Sequence, residues 1–580
     1  MRDLVQPVRL AGVSRLSLSL VVALTGCTSP AYEAFQAGQD KYASTGPGET
    51  TTGATPTGTS GDMQSVTAGE GSADTGDAAS GTSGSSGTGA LSATGDPGTT
   101  ASDDTSDTDL ADPPDIDKPS ILSVQLPAKV YAAGPVSLEV LTEHTASVQI
   151  SLDGVDLGEL ADAGEGKFVG ALTVRGAIDN GDHIVTITAH HGPFQVSENA
   201  GYGVSTPKPG TMAWFKAGPA GSRTNRIALT AEGDVLEAGQ VEINKVTRPS
   251  LRKRSGLTGA ELWSVTLDTL EGSSVDLAVL PDGRVWVAMN VRKPGDPSPQ
   301  PRIALFDATG QFTGVEAFGD LGQGVRGIAA DAEGGCFAVG FASAGKDLDV
   351  GYWRVNAAGV QTLGHHWDYD PNEKPHTFSD LAMDVLIEGD TAWVAGASSG
   401  KHNIVDTQMR GMIVPMNLYT GEVKDPVTVI IAAKSGVSSQ SVFFGAGHHP
   451  LGVLVTGYSC DDTCTNYQIA TSLYGPTGKL LWSTSDAAGS ELRYGSDVVL
   501  DSQGRALVAG AVTEKGLLRG YFFAHRVGGE EVLPLFEHWF PSSGPSEALG
   551  VLSDAYDRLF SAGYITANGS TQARLVLVHG

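Results

Sequence analysis

From about Gly210 onward, apolar positions alternate with small or polar ones in short runs broken by turn residues, the two-residue period of half-buried β-strands. The clearest run is VDLAVLPDGRVWVAMN, Val275 to Asn290. Val275, Leu277 and Val279 alternate with smaller or polar neighbours, Asp282-Gly283 offers the left-handed backbone of a two-residue hairpin turn, and Val285, Val287 and Met289 resume an apolar strand. The end of this hairpin recurs at Gly239, Met289, Gly340, Gly396, Gly457, Gly510 and Gly563, at spacings of 50, 51, 56, 61, 53 and 53 residues. Each copy is followed by another apolar strand, a glycine turn and often a tryptophan, as in RIALFDATGQF and YWRVNAAGVQTLGHHW. That completes four strands per repeat.

Seven such repeats predict radial repetition: an all-β chain with a seven-bladed β-propeller over residues 208–580. Its ends predict how the ring closes. The last copy stops after its third strand, ARLVLVHG, while TMAWFKAG enters the region with Trp214 placed like the outer-strand tryptophans Trp263, Trp367, Trp482 and Trp539. The first strand is therefore expected to complete the last blade and remove the edge a linear array would expose. Residues 118–207 alternate differently, with SILSVQL, SLEVL, SVQISL, KFVGALTV and HIVTITAH separated by turn pairs such as Asp153-Gly154 and Asn180-Gly181. About seven short strands in this span is a sandwich pattern. It resembles bacterial immunoglobulin-like domains, without the cysteine pair or core tryptophan of an antibody-type core, and such a unit is expected to act as a spacer. Pro207-Lys208-Pro209-Gly210 marks the boundary between the two.

The N-terminus has a different pattern. Arg2, Arg9 and Arg15 precede the apolar run Leu16 to Leu24, too short to span a bilayer and suited to an export signal. It ends in Leu24-Thr25-Gly26-Cys27, which resembles the bacterial lipobox. That resemblance implies a signal peptide over residues 1–26, a lipidated Cys27 and, with Thr28 rather than Asp following, an outer-membrane or cell-surface location; an ordinary signal peptide is the alternative. From Gly46 to Asp117 the chain is almost wholly Gly, Ser, Thr, Ala and Asp, with nothing to offset the entropy of ordering, so residues 27–117 are expected to form a disordered acidic tether. The formal net charge of −29 argues against a nucleic-acid surface, and four cysteines are too few for a disulfide scaffold.

The blade endings TGAELW and TGKLLW resemble propellers of the pyrroloquinoline-quinone repeat type, which include both quinone-dependent dehydrogenases and cofactor-free lipoprotein scaffolds. The likeness supports fold rather than cofactor; there is no quinone-stacking or metal-ligand set to carry over, and no cofactor is expected.

Candidate chemistry is sparse. Counting back an equal distance from each repeat anchor places Arg226, Asp276, Gly327, Met383, Phe444, Asp497 and Gly550 at equivalent first-strand positions near the channel mouth. Arg226, Asp276 and Asp497, with neighbouring Arg326, are the candidates for a ligand mouth, against the alternative that they pair with one another or with loop backbone. His365, His366, Asp368, Asp370, Glu373 and His376 share one loop-rich passage, but adjacent strand histidines point to opposite faces and the spacing matches no defined metal site, so none is assigned. Cys460 and Cys464 enclose a short loop and, in an exported protein, are expected to form a disulfide; Cys336 reads as a buried small hydrophobe. His448-His449 before Pro450 reads as an inert hairpin turn.

Two functions follow. The first is a non-enzymatic, lipid-anchored, monomeric surface protein whose partners are the membrane and a protein or glycan held by the propeller face. The alternative is an extracytoplasmic polysaccharide hydrolase or lyase acting at the mouth. An enzyme calls for converging carboxylates, or Arg, His and Tyr within one pocket; a scaffold calls for scattered charges.

Overall fold

The computed structural model describes residues 118–580 except 295, 297–298, 318–322, 345–346, 369–378, 399–408, 425–426, 429–439, 462–466, 486–490, 529–533, 541, 543 and 568. The described chain is all-β, its helical content being one 3-10 turn, Gly176–Asp179.

Strands between Ser120 and Val204 form a four-stranded and a five-stranded sheet. Gly134–Glu143 shows why: every second residue is buried from Gly134 to Leu141's neighbours, and Val136, Leu138 and Val140 meet Val148, Ile150, Val185 and Ile187 of the other sheet in one shared core. There are nine strands rather than about seven, because short pieces at Lys129–Val130 and Ala161–Gly164 also pair; the first runs parallel to Gly203–Val204.

Residues Met212 to His579 form seven four-stranded antiparallel sheets. Six are plain meanders; the first is Ser222–Leu229, Val235–Ile243, Val246–Arg254 and Glu261–Thr266. Their first strands begin at Ser222, Glu271, Gly324, Asp380, Gln440 and Arg493, and the seventh sheet's at Ser546. Each first strand lies against the next, and that of the seventh lies against that of the first, so the sheets close a ring around an axis. This is β-propeller architecture. Because each sheet is covered on both faces by its neighbours, second strands are buried without alternation, as along Val285–Val291.

The seventh sheet is completed from the other end of the chain. Met212–Ala220 pairs antiparallel with Ser570–His579, with Trp214 opposite Leu577 and Phe215 opposite Val576. Trp214 lies 6.2 Å from Phe560 between ring centroids, and its indole N–H donates to Leu257 O in the first sheet at 3.1 Å. It also rests against Gly259, where a Cβ would come within 2.9 Å of the ring.

The Val275–Asn290 hairpin departs from expectation at its turn. Val279 pairs with Val285 across a five-residue connection, Leu280–Arg284, in place of a two-residue turn at Asp282-Gly283. Gly283 alone takes the left-handed backbone, while Asp282 caps the Arg284 N–H and pairs with its guanidinium. Two-residue turns do occur in the fourth and fifth sheets, where Glu388 pairs with Thr391 and His449 with Gly452. The latter is the expected hairpin after His448-His449.

Candidate functional site

Every first strand carries a β-bulge at the same height, where one residue is left without a partner on the second strand. The unpaired residue interrupts the two-residue period, so it and its successor both turn toward the axis. The unpaired residues Asn225, Val275, Arg326, Met383, Phe444, Ser496 and Leu549 all line one cavity at the channel mouth, with a volume of about 110 Å³. Their successors are Arg226, Asp276, Gly327, Asp384, Gly445, Asp497 and Gly550.

Five of the seven equivalent positions agree with those read from sequence; Met383 and Phe444 do not. The fourth and fifth sheets use two-residue turns, which shorten their hairpins by one residue, so the equivalent positions are Asp384 and Gly445. The slip hid a carboxylate.

Beneath the cavity these successors form a hub. Each aspartate accepts its own strand's next N–H with Oδ1, from Leu277, Val385 and Val498, and the next sheet's N–H with Oδ2, from Ile328, Ala446 and Val551, all at 2.8–2.9 Å. Asp276, Asp384 and Asp497 thereby clasp the second sheet to the third, the fourth to the fifth and the sixth to the seventh. The intervening positions are glycines because the next sheet approaches too closely for a side chain: a Cβ on Gly445 would sit 2.6 Å from Asp497 Cα, and one on Gly327 2.8 Å from Asp384 Cα. A two-sheet repeat cannot close on seven sheets. The remaining position, in the first sheet, is Arg226.

Arg226 crosses the axis. Its Nη1 donates to Ser496 O and Leu549 O at 3.0 Å, and its Nη2 donates to Asp384 Oδ2 at 3.2 Å and Phe444 O at 3.3 Å. Asp497 Oδ1 lies 3.5 Å from Nη1 and Asp276 Oδ1 3.9 Å from Nε. Arg226, Asp276 and Asp497 are thus brought together by pairing with one another and with backbone; of the four sequence candidates only Arg226 and Arg326 border the cavity. Burial pushes the Asp276 carboxyl up to about 8 and that of Asp384 to about 6, and raises Asp497, with Arg226 opposing each shift. Burial works against the Arg226 charge, but the three carboxylates outweigh it and hold the guanidinium protonated.

A pH dependence follows. A carboxyl whose folded pKa is raised contributes stability that is complete below its unfolded value near 4 and is lost as pH rises through the folded value. Buried His525, pushed down to about 4 by burial, acts only below about pH 7, where the unfolded imidazole protonates. Between pH 7 and 9 the thermal midpoint should therefore fall, and Asp276→Asn should flatten the slope. A midpoint that rises over this interval would show the hub carboxylates to be ionised throughout.

Two residues before the unpaired bulge residue, a second cluster borders the cavity. Glu547 of the seventh sheet, 1 % exposed, lies opposite Tyr564; Tyr494 comes from the sixth sheet and Arg223 from the first. Arg223 Nη2 is 3.6 Å from Glu547 Oε2, its guanidinium lies 4.5 Å from the Tyr564 ring centroid, and the hydroxyls of Tyr494 and Tyr564 face the carboxylate. Burial raises the Glu547 carboxyl against the pull of Arg223. Sequence reasoning missed this set. Arg223, Tyr494 and Glu547 occupy one register, facing Gln240, Ala511 and Tyr564, so counting back three more residues from Arg226, Asp497 and Gly550 was the available signal.

Elsewhere, His366 Nε2 lies 3.6 Å from Asp349 Oδ2 and His365 packs near Tyr352, while Asp370, Glu373 and His376 fall outside the described residues. No cluster of metal-ligating side chains occurs among the described residues. Cys336 is buried, which raises its thiol pKa. Cys460 is disulfide-bonded at the end of its strand; Cys464 falls outside the described residues, as does Cys27.

No family model matches the chain, and no curated protein matches it. Among solved structures it is similar to the Pan2 WD40 domain of Neurospora crassa, at 7% identity over 63% of this chain and 94% of that one, TM-score 0.38. It is also similar to the β-propeller domain of the Trilobed protease from Pyrococcus furiosus (11% identity, 64% and 95% covered, TM-score 0.37) and to the polysaccharide lyase Uly1 (10% identity, 61% and 90% covered, TM-score 0.35). With so few identities and such low scores, these similarities bear on no residue of this chain.

Proposed function

We propose that the chain is a cell-envelope lipoprotein. In this reading Cys27 carries the lipid, residues 27–117 are a tether, residues 118–207 an immunoglobulin-like spacer closed by no disulfide, and residues 208–580 a seven-bladed propeller presenting its mouth to a protein or glycan. A Cys460–Cys464 disulfide staples one loop of that propeller.

The observation that supports binding is the division of labour at the axis. Arg226 and its three aspartates are consumed in holding sheets together, while the cavity above them is lined by apolar and polar side chains together. Val275, Met383, Phe444 and Leu549 are interspersed around it with Asn225, Arg326 and Ser496, and Arg223 and Glu547 lie beside them. An apolar lining with a few polar groups is what a binding cavity needs. Hydrolysis by paired carboxylates is less well served, because Glu547 is the one carboxylate among the described residues that line it.

The test is a glycan and envelope-protein array probed with the full chain, beside Leu549→Glu and Arg326→Glu, with fatty-acid labelling of wild type and Cys27→Ser in parallel. Binding lost in the mouth variants, and label lost in Cys27→Ser, are the expected results. Binding indifferent to both mouth variants would refute the mouth reading, new reducing or unsaturated ends in a polysaccharide would favour the enzyme, and equal labelling would refute the anchor.

A further inference from the structure

Three side chains that line the mouth cavity each carry a buried polar atom without a hydrogen-bond partner: Glu547 Oε1, Arg223 Nε and Ser496 Oγ. They come from the seventh, first and sixth sheets, which are neighbours around the ring. A buried polar atom left unpaired is costly, and here the side chains that carry one acceptor, one donor and one group that can do either line the same cavity as the apolar Val275, Met383 and Phe444.

We propose that this cavity binds the hydroxyl-bearing edge of one neutral sugar residue, Glu547 Oε1 accepting from one hydroxyl while Arg223 Nε and Ser496 Oγ bond to its neighbour. This rests on the binding reading above and specifies its ligand. A neutral group that both donates and accepts fits all three atoms. A carboxylate or phosphate would meet the Glu547 charge, with the Arg226 charge committed to Asp276, Asp384 and Asp497 and that of Arg223 to Glu547 itself, so that Glu547 opposes the pull of Arg326. A cation would meet Arg223, 3.6 Å from that same carboxylate, and Arg326 across the mouth. A wholly apolar ligand would leave the three atoms unpaired. Val275, Met383 and Phe444 then receive the C–H face of the ring. Size narrows the choice further. About 110 Å³ is well above the roughly 10–15 Å³ needed for one water and well below the roughly 300–1,000 Å³ of pockets that engulf a drug-sized ligand. The cavity suits a terminal residue presenting two or three hydroxyls.

The experiment is calorimetric titration of the full chain with methyl glycosides of glucose, galactose, mannose and N-acetylglucosamine, against glucuronate, glucosamine and inorganic phosphate. At least one neutral glycoside should bind saturably, and about tenfold or more tighter than every charged probe. Glu547→Gln should weaken it about tenfold or more, as expected for losing a hydrogen bond to a charged group. Ser496→Ala, which removes only a hydroxyl, should weaken it less and keep the wild-type melting temperature, covering the case in which Glu547→Gln folds poorly. Silence from every neutral glycoside, preference for a charged probe, or neutral-sugar binding unchanged in both variants would overturn the inference. If array binding still depends on Leu549 and Arg326 in that event, the mouth reading stands and only the ligand class fails; if nothing depends on the mouth, both fail.

Discussion

Arg226→Leu should lower the thermal midpoint of the propeller by on the order of 4–7 °C, the largest effect expected of any single substitution. Removing one partner from a buried ion cluster typically costs about 3–5 kcal/mol, and a degree or more of melting temperature follows each kcal/mol in a domain of this size. The side chain gives four hydrogen bonds across the axis and faces three buried carboxylates. Without it, burial and mutual repulsion act on Asp276, Asp384 and Asp497 unopposed. Those groups can respond by taking up protons, so the deficit should shrink from pH 8 to pH 5 if charge is the cause. A loss of similar size at both pH values would assign it to packing and lost backbone partners. A midpoint within about 1 °C of wild type, less than about 1 kcal/mol, would show that the hub does not hold the ring together.

Replacing Met212–Ala220 with a Gly/Ser segment of equal length should be more disruptive still, because it reopens the ring while leaving the preceding sandwich attached. The outer edge of Ser570–His579 would lose its partner strand, and the cluster around Phe560, Leu575 and Leu577 would lose the ring that covers it. Trp214 itself is half-buried, so Trp214→Ala should cost less than the roughly 3–5 kcal/mol of a fully buried aromatic, yet it should still lower the midpoint through the lost contacts with Phe560, Gly259 and Leu257. The strand replacement should give aggregation or a split unfolding transition, an exposed sheet edge being a template for pairing between chains. One cooperative transition at the wild-type temperature would show that the ring closes by other contacts.

Both effects concern architecture, and architecture is what was legible in the chain. The regular return of an apolar hairpin marked seven repeats, and tryptophans at matching positions marked Met212 to Ala217, within TMAWFKAG, as an outer strand. Local patterning suffices there, because pleating ties burial to residue spacing within each strand. The hub was only partly legible. Arg226, Asp276 and Asp497 stood out as charges at one register, but Asp384 was masked by a one-residue change in turn length that no apolar alternation reports.

What those charges do was not legible at all. Arg226 meets carbonyls and carboxylates from five other sheets, as far as 323 residues away in sequence. Glu547, Tyr494 and Arg223 likewise converge from three strands that share only a height in the ring. By itself, then, the sequence determined the repeat, the strand order and the closing strand, since these follow from local period and turn chemistry. Whether a charge at the axis faces a ligand or clasps a neighbouring sheet was decided by the tertiary structure, because desolvation and Coulomb energies depend on distances across the ring that spacing along the chain does not encode.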